Sequence, residues 1–400
     1  MEIQYKSTKS NLLSAPTEYK QKFNRQEFLQ SVKRIVVKVG TSSLITKDFK
    51  LNKEGLDNLA ADLVSVKQSG REVILVTSGA IGTGVGRIGL KHRPQDIPSQ
   101  QAAAAVGQSL LMSAYEERFR RYNLPIAQML LTQDDLRNRK RYTNASNTLH
   151  ALLRYGVIPI INENDTVAVE EIKFGDNDTL SALVTNLADA DLLLILSDTD
   201  GFYTDDPRKN ATAKLINIVP TINAELKKAA GKKGSAVGTG GMETKLKAAQ
   251  IVTGSGVNMA LANSFVEKVV SRLLDGEEIG TLFLAEGERK SGWKRWIAYS
   301  LPIKGTLQVD TGAYIALTEH GKSLLPSGLI NVTGNFKFGD AVSCLDDDGS
   351  EFARGLVNYN ANEVNRIKGK RTGEIEGILG HRHYDEVIHR DNLVILRENF

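Results

Sequence analysis

Up to about Asp275, short β-branched apolar runs alternate with apolar stripes at helical spacing. Ile35–Gly40 reads as a strand. Leu56, Leu59, Ala60, Leu63 and Val66 then recur at helical spacing until Gly70 ends the pattern. Val73–Thr77, Ile126–Leu131, Val157–Ile161, Leu192–Leu196 and Val257–Leu261 predict further strands. Helices are expected between them, over the Ala-rich Gln100–Ala114, at Leu149, Leu152 and Leu153, at Leu180, Leu183, Val184 and Leu187, and over Lys245–Val252. That alternation predicts an α/β fold: a mainly parallel sheet sandwiched by helices.

Beyond Asp275 the long stripes stop. Gly276–Gly292 reads as a connector with a short strand at Thr281–Leu284. Short runs at Gly305–Val309, Tyr314–Leu317, Ala341–Cys344 and Ala353–Val357 follow, separated by turn residues. They predict a small β-rich second domain. The expected division is a polar N-terminal extension over 1–33, a main domain over 34–285, a linker over 286–299, the β-rich domain over 300–385 and a tail over 386–400. Phe23–Val32 has the pattern of a helix within the extension.

Five of the strands end in small or polar residues: Gly40-Thr41-Ser42, Ser78-Gly79, Thr132, Asn162–Asp165 and Ser197-Asp198. Parallel strands of one sheet point the same way, so these ends share an edge, where open α/β sheets bind ligands. The richest is Ile158–Asp178. Its apolar run leads to Asn162-Glu163-Asn164-Asp165, and a second polar burst, Gly175-Asp176-Asn177-Asp178, precedes a helical stripe. A polar loop with Asp176 or Asp178 as N-cap would show the same pattern. Lys38 sits inside the first strand. A lysine there is costly to bury unless an anion meets it, and an edge-strand lysine facing solvent is the alternative.

Composition narrows the class. The 400 residues are 41% hydrophobic and 24% charged with a net charge of +4, globular values too weakly basic to argue for nucleic acid. The single cysteine, Cys344, permits no disulfide within the chain and reads as a small core residue. No apolar run is long enough to span a bilayer, and the N-terminus lacks the apolar segment of a secretory signal. The expectation is a soluble cytoplasmic protein.

Gly234–Lys245 (GSAVGTGGMETK) runs into a helix. Its glycines let backbone N–H groups converge on phosphate, and Lys245 follows in the first helical turn. A flexible surface loop is the plainer alternative. Gly84–Gly89 matches GxGxxG but lies beyond its strand end, and no acid-ending strand follows at the spacing a dinucleotide site needs. Gly321-Lys322-Ser323 lacks the earlier glycine of a Walker loop. His381, His383 and His389 fit no metal-ligand spacing and read as structural or solvated. The basic run Arg137–Arg141 reads as a solvated face or a subunit contact.

The ordered segments VKVGTSSL, VTSGAIGTGV, INEND, FGDNDTLSALV, LSDTDGFYTDDPR and GTGGMETKLKAAQ closely resemble the glutamate 5-kinases of the amino acid kinase superfamily. The tail, with LLPSG and VTGNF, resembles a PUA domain. The resemblance implies an amino acid kinase-like fold and ATP-dependent phosphorylation of the γ-carboxylate of L-glutamate, opening proline biosynthesis. It also implies Mg²⁺, feedback inhibition by proline and assembly into a dimer or tetramer. Carried over position by position, Lys38 matches the nucleotide-phosphate lysine, and Ser78, Asp165 and Asn177 match glutamate-binding positions. Asp178 matches the acid that organises the catalytic lysines, and Ser197 and Asp198 match a nucleotide-binding pair. Thr239, Gly240, Gly241, Met242, Glu243, Thr244 and Lys245 match the nucleotide loop, with Lys245 the second catalytic lysine. No protein ligand to a metal is assigned. The extension before Arg34 is longer than in typical members.

A carboxylate acceptor is ionised at neutral pH, so the reaction needs charge neutralisation rather than a general base. Two other readings stand beside this one. A related kinase could act on N-acetylglutamate, carbamate or UMP. The PUA resemblance, with the basic Arg366, Lys368, Lys370 and Arg371, allows RNA binding, against which Asp346-Asp347-Asp348 and the weak net charge argue.

Overall fold

The structure, a computed structural model, describes residues 23–168, 177–207, 210, 212–224, 226–227 and 241–396. These residues form two compact units, divided between Glu288 and Arg289.

The first unit is built on an eight-stranded sheet. Its strands are β1 (Arg34–Val39), β2 (Glu72–Val76), β3 (Ile126–Leu131), β4 (Ile158–Glu163), β5 (Leu192–Ser197), β6 (Ile218–Val219), β7 (Asn258–Asn263) and β8 (Thr281–Phe283). Their spatial order is β3-β4-β2-β1-β5-β7-β8-β6, and only the β7–β8 pair is antiparallel. β1 is a central strand, with Lys38 in register with Val76 on one side and Ile195 on the other. All six residues of β4 and of β5 are buried, as continuous apolar runs covered on both faces should be.

Helices pack on this sheet: α1 (Arg25–Ser31), α2 (Lys53–Gln68), α3 (Ala80–Ile88), α4 (Ile97–Arg120), α5 (Arg139–Arg154), α6 (Asn177–Leu187), α7 (Met242–Gly254) and α8 (Val269–Leu274). α1 lies within the sequence read as a polar extension. Asn24 caps it, and Leu29 and Val32 join the core. Arg25, 8% exposed, donates to the carbonyls of Asn217 and Ile279. Residues 1–22 lie outside the described residues.

The GxGxxG run serves packing. Gly84 and Gly86 lie inside α3. A Cβ on Gly84 would stand 1.7 Å from the Ala103 carbonyl oxygen of α4, and one on Gly107 of α4 would stand 1.8 Å from that of Ala80. Two helix backbones touch there, and no side chain fits between them.

The second unit contains α9 (Gly292–Tyr299), β9 (Ile303–Val309), α10 (Thr311–Thr318), β10 (Leu329–Gly334), β11 (Ala341–Leu345), β12 (Glu351–Leu356), α11 (Ala361–Ile367) and β13 (Leu393–Ile395). The sheet order is β10-β9-β11-β12-β13, parallel only between β9 and β11. Three stretches differ from a plain strand-and-linker reading. Tyr314–Leu317 is helical, because Asp310 caps α10 through a 2.7 Å bond from the Ala313 N–H. The 286–299 stretch contains α9, with Trp296, Ile297 and Ala298 buried, and the 386–400 stretch supplies β13. Cys344 is fully buried, and burial pushes its thiol up to about 12, so it is an inert core residue.

The α3–α4 contact yields a paired test. Gly107→Ala should lower stability in urea melts by about 1–3 kcal/mol, the usual cost of overpacking. Gly82→Ala, on the facing helix α3, meets only side-chain atoms of Ile45 and Thr41, at 3.5 Å or more. It should be neutral or stabilising by up to about 1 kcal/mol, from helix propensity. Equal effects of the two substitutions would contradict the packing account.

Candidate active site

The C-terminal ends of β1, β2, β4 and β5 converge as parallel pairing requires. At the end of β1, Gly40 starts the short helix Thr41–Leu44, and a Cβ on it would lie 3.9 Å from Lys38 Nζ. At the end of β2, Ser78 is followed by Gly79, whose φ of 98° turns the chain into α3. Glycine alone adopts that backbone without strain.

Lys38 is 6% exposed in its central strand, which rules out the solvent-facing edge lysine. Its partner is Asp178, 1% exposed in the first turn of α6: Lys38 Nζ stands 2.6 Å from Asp178 Oδ1. Lys245, 7% exposed on α7, brings its Nζ to 3.3 Å from Asp178 Oδ2. The Thr244 hydroxyl lies 2.7 Å from that same oxygen. Burial alone would raise the Asp178 pKa, but the two ammonium groups and the hydrogen bonds outweigh it and hold the carboxyl well below its usual range. One carboxylate thus holds two buried cations at neighbouring points of the edge. Asp178 is a helical residue with its side chain on the lysines, and Asp176, the other capping candidate, lies outside the described residues.

Next to this triad, Asn177 ties two strand ends together, those of β2 and β4. Its Nδ2 lies 2.7 Å from the Thr77 carbonyl oxygen, 3.0 Å from Ser78 Oγ and 2.9 Å from Asn162 Oδ1. Asn162 in turn donates to Gln108 Oε1 at 2.8 Å. The two Asn177 N–H bonds therefore meet protein acceptors, while Ser78, accepting from Asn177, keeps its own hydroxyl proton to donate. Thr77, Asn162 and Gln108 are parts of this frame that the motif reading did not single out. A polar residue ending a buried strand was the signal for Asn162; nothing in α4 marked Gln108.

Asp165 sits in the turn after β4, fastened by Gln101 Nε2, which donates to the Ala168 carbonyl at 3.1 Å. Burial pushes its carboxyl up to about 6, partly offset by the Arg93 guanidinium. Arg93, itself within reach of Gln100 Oε1 at 3.4 Å, carries no motif and was invisible to spacing arguments. The segment 169–174, which joins the two polar bursts, lies outside the described residues.

On the other side of β1, Ser197 Oγ donates to Asp198 Oδ1 at 3.1 Å, and the Ser264 N–H donates to the Ser197 carbonyl at 2.8 Å. Ser197 is buried and Asp198 exposed. Gly241 is the N-cap of α7, which continues through Met242, Glu243, Thr244 and Lys245; Met242 is half-buried and Glu243 exposed. Thr239, Gly240 and the loop from Gly234 lie outside the described residues. Thr132 turns away from this chemistry: with Asp135 it forms a capping box for the helix Gln133–Arg137.

Residues 33–263 match the amino acid kinase family and residues 305–379 the PUA domain. A glutamate 5-kinase of Caldanaerobacter subterraneus is 53% identical over 363 residues, spanning 91% of this chain and 98% of the relative. That of Citrifermentans bemidjiense is 52% identical over 372 residues, spanning 93% and 100%. Among solved structures, a UMP kinase from Bacillus anthracis aligns with TM-score 0.45 and 16% identity over 64% of this chain and 97% of its own.

The triad also has a stability signature. Asp178→Ala leaves two buried ammonium groups facing one another and should cost about 3–5 kcal/mol in urea melts. Adding Lys38→Met to that variant should recover part of the loss, since one uncompensated charge is then gone. No recovery would mean that the ammonium groups are not coupled through Asp178.

Proposed function

The chain belongs to the glutamate 5-kinases of the amino acid kinase family, and we propose that it transfers the γ-phosphoryl group of ATP to the γ-carboxylate of L-glutamate. One observation carries the reading: Lys38 and Lys245, both buried, meet the opposite oxygens of Asp178 where β1, α6 and α7 end or begin. An anion must approach a polyanion in this reaction, and two fixed point charges in a poorly solvated place are what lowers that barrier.

The acceptor needs no deprotonation, because a free carboxyl with pKa about 4.3 is ionised at neutral pH. A γ-carboxylate oxygen attacks the γ-phosphorus in line, the bond to the β,γ-bridging oxygen breaks, and ADP leaves with the electron pair. The products are ADP and the acyl phosphate L-glutamyl 5-phosphate. Lys38 and Lys245 follow the charge as it moves from the terminal to the bridging oxygens, and Asp178 keeps them apart and aligned. Ser78 donates to the substrate's α-carboxylate, Asn177 holds Ser78 and the strand ends in place, and Asp165 pairs with the α-ammonium. Ser197, Asp198 and the segment Thr239–Lys245 carry the nucleotide.

Both Asp178 oxygens face cations or a hydroxyl, and the described residues contain no group of three or more His, Cys, Asp or Glu able to hold a metal ion. A Mg²⁺ ion would come with the ATP phosphates and would supply further charge neutralisation there. No helix among the described residues is long and apolar enough to cross a membrane. The same reading makes this the first step of proline biosynthesis in the cytoplasm, restrained by proline and carried out by a homo-oligomer, a dimer or tetramer.

The first test is ADP release across a panel of glutamate, N-acetylglutamate, carbamate and UMP, with hydroxylamine trapping and added proline. Glutamate alone should support turnover and yield a hydroxamate, and proline should slow it; turnover with another acceptor instead would overturn the assignment. Lys245→Ala should reduce kcat by about 10²–10³-fold, the scale for one lost transition-state charge contact. The Asp165 carboxyl, with its pKa pushed up to about 6, loses its charge as pH falls. The KM for glutamate should therefore rise as pH drops from 7 to 5, with the ATP KM unchanged. In Asp165→Asn the glutamate KM should be high throughout and lose that pH dependence; a profile like the wild type's would remove Asp165 from the substrate site.

A further inference from the structure

The second unit holds a cavity of about 980 Å³ that the kinase chemistry does not use. Residues of the loop after β10, of the start of α11 and of the segment around 381–384 line it. Two pairs of stacked rings lie along its wall. Phe338 and Tyr384 have centroids 5.7 Å apart at 29°, and His381 and His383 have centroids 4.9 Å apart at 26°. Phe338 is 61% exposed and Tyr384 39% exposed, so the first pair leaves aromatic surface uncovered. Nδ1 of His381 is buried without a hydrogen-bond partner.

The polar lining limits what could fill this space. Glu363 is the lining carboxylate, and both its oxygens are engaged, Oε1 with His381 Nε2 at 3.1 Å and Oε2 with the Asn360 N–H at 2.9 Å. A cationic ligand would therefore find no free counter-charge. The exposed Asn335 and Asn362 also line the cavity, and a purely apolar ligand would leave their amide donors and acceptors unused. Lys337 adds an exposed positive charge at the same wall. Flat rings, paired donor–acceptor amides and one cation match a flat, hydrogen-bonding anion. Stacking suits a base of any sequence, and asparagine pairs in bidentate fashion with the edge of adenine.

We propose that this cavity binds a free purine nucleotide, its base stacked on Phe338 and Tyr384, its edge met by Asn335 and Asn362, and its phosphate met by Lys337. The site stands apart from the catalytic residues in sequence and does not rest on the kinase assignment.

The probe is AMP, used with the full chain. 8-Azido-AMP photolabelling followed by peptide mapping should mark peptides containing 335–338 or 381–384, and unlabelled AMP should compete. Phe338→Ala removes an exposed ring and should fold normally; it should weaken AMP binding at least tenfold and leave the KM values for ATP and glutamate unchanged. Lys337→Gln should weaken AMP but not adenosine, and should flatten the salt dependence of AMP binding. Labelling confined to residues before 289 would overturn the proposal, as would AMP affinity untouched by Phe338→Ala. An oligoadenylate that binds where AMP does not would overturn it too, by showing a surface that needs a strand.

Discussion

A single buried carboxylate sets the terms for the first unit. Asp178 would be costly to ionise in its surroundings without cations, and Lys38 and Lys245 would be equally costly without it. The three groups are tolerable only together, so the ends of β1, α6 and α7 must meet with little positional freedom. Such a charge cluster is a poor stabiliser compared with apolar packing. In the proposed transfer its value would lie in presenting two ammonium groups at fixed positions to an anionic reactant, without reorganisation at the moment of transfer.

The rest of the fold makes that meeting possible. Because β1 lies inside a parallel sheet with buried strands on either side, Lys38 cannot escape to solvent, and the strand ends that flank it share one edge. Asn177 extends the same edge sideways by bridging the ends of β2 and β4. The close contact of α3 with α4, possible only at Gly84 and Gly107, holds the segment after Ser78 against the sheet. It also brings Gln108 of α4 to Asn162. The packing glycines are thus linked to Asn177 through a chain of side-chain amides.

The second unit is organised differently. Its sheet is mostly antiparallel, and its short helices are set by local caps, Asp310 for α10 and the Asn360–Glu363 capping box for α11. Glu363 serves two ends at once, closing that box and binding His381. The cavity beside α11 is lined by rings and amides together with Lys337, Glu363 and two histidines.

Periodicity alone was enough for the alternation of buried strands and helices, because apolar runs of five or six residues and stripes at helical spacing are local properties of the chain. The motifs then named Lys38, Asp178 and Lys245, whose residue types are conspicuous at strand and helix ends. Local pattern misread Tyr314–Leu317, where a cap at Asp310 outweighed β-branching and turn signals, and it read residues 23–33 without the core contacts that order α1. Two things were decided by tertiary structure only. One is that Lys38 belongs to a central strand, since strand order depends on long-range pairing that no local pattern encodes. The other is the company each polar group keeps. Arg93 near Asp165 and Gln108 on Asn162 join residues 72 and 54 positions apart, and such contacts arise from the packing of whole helices and loops.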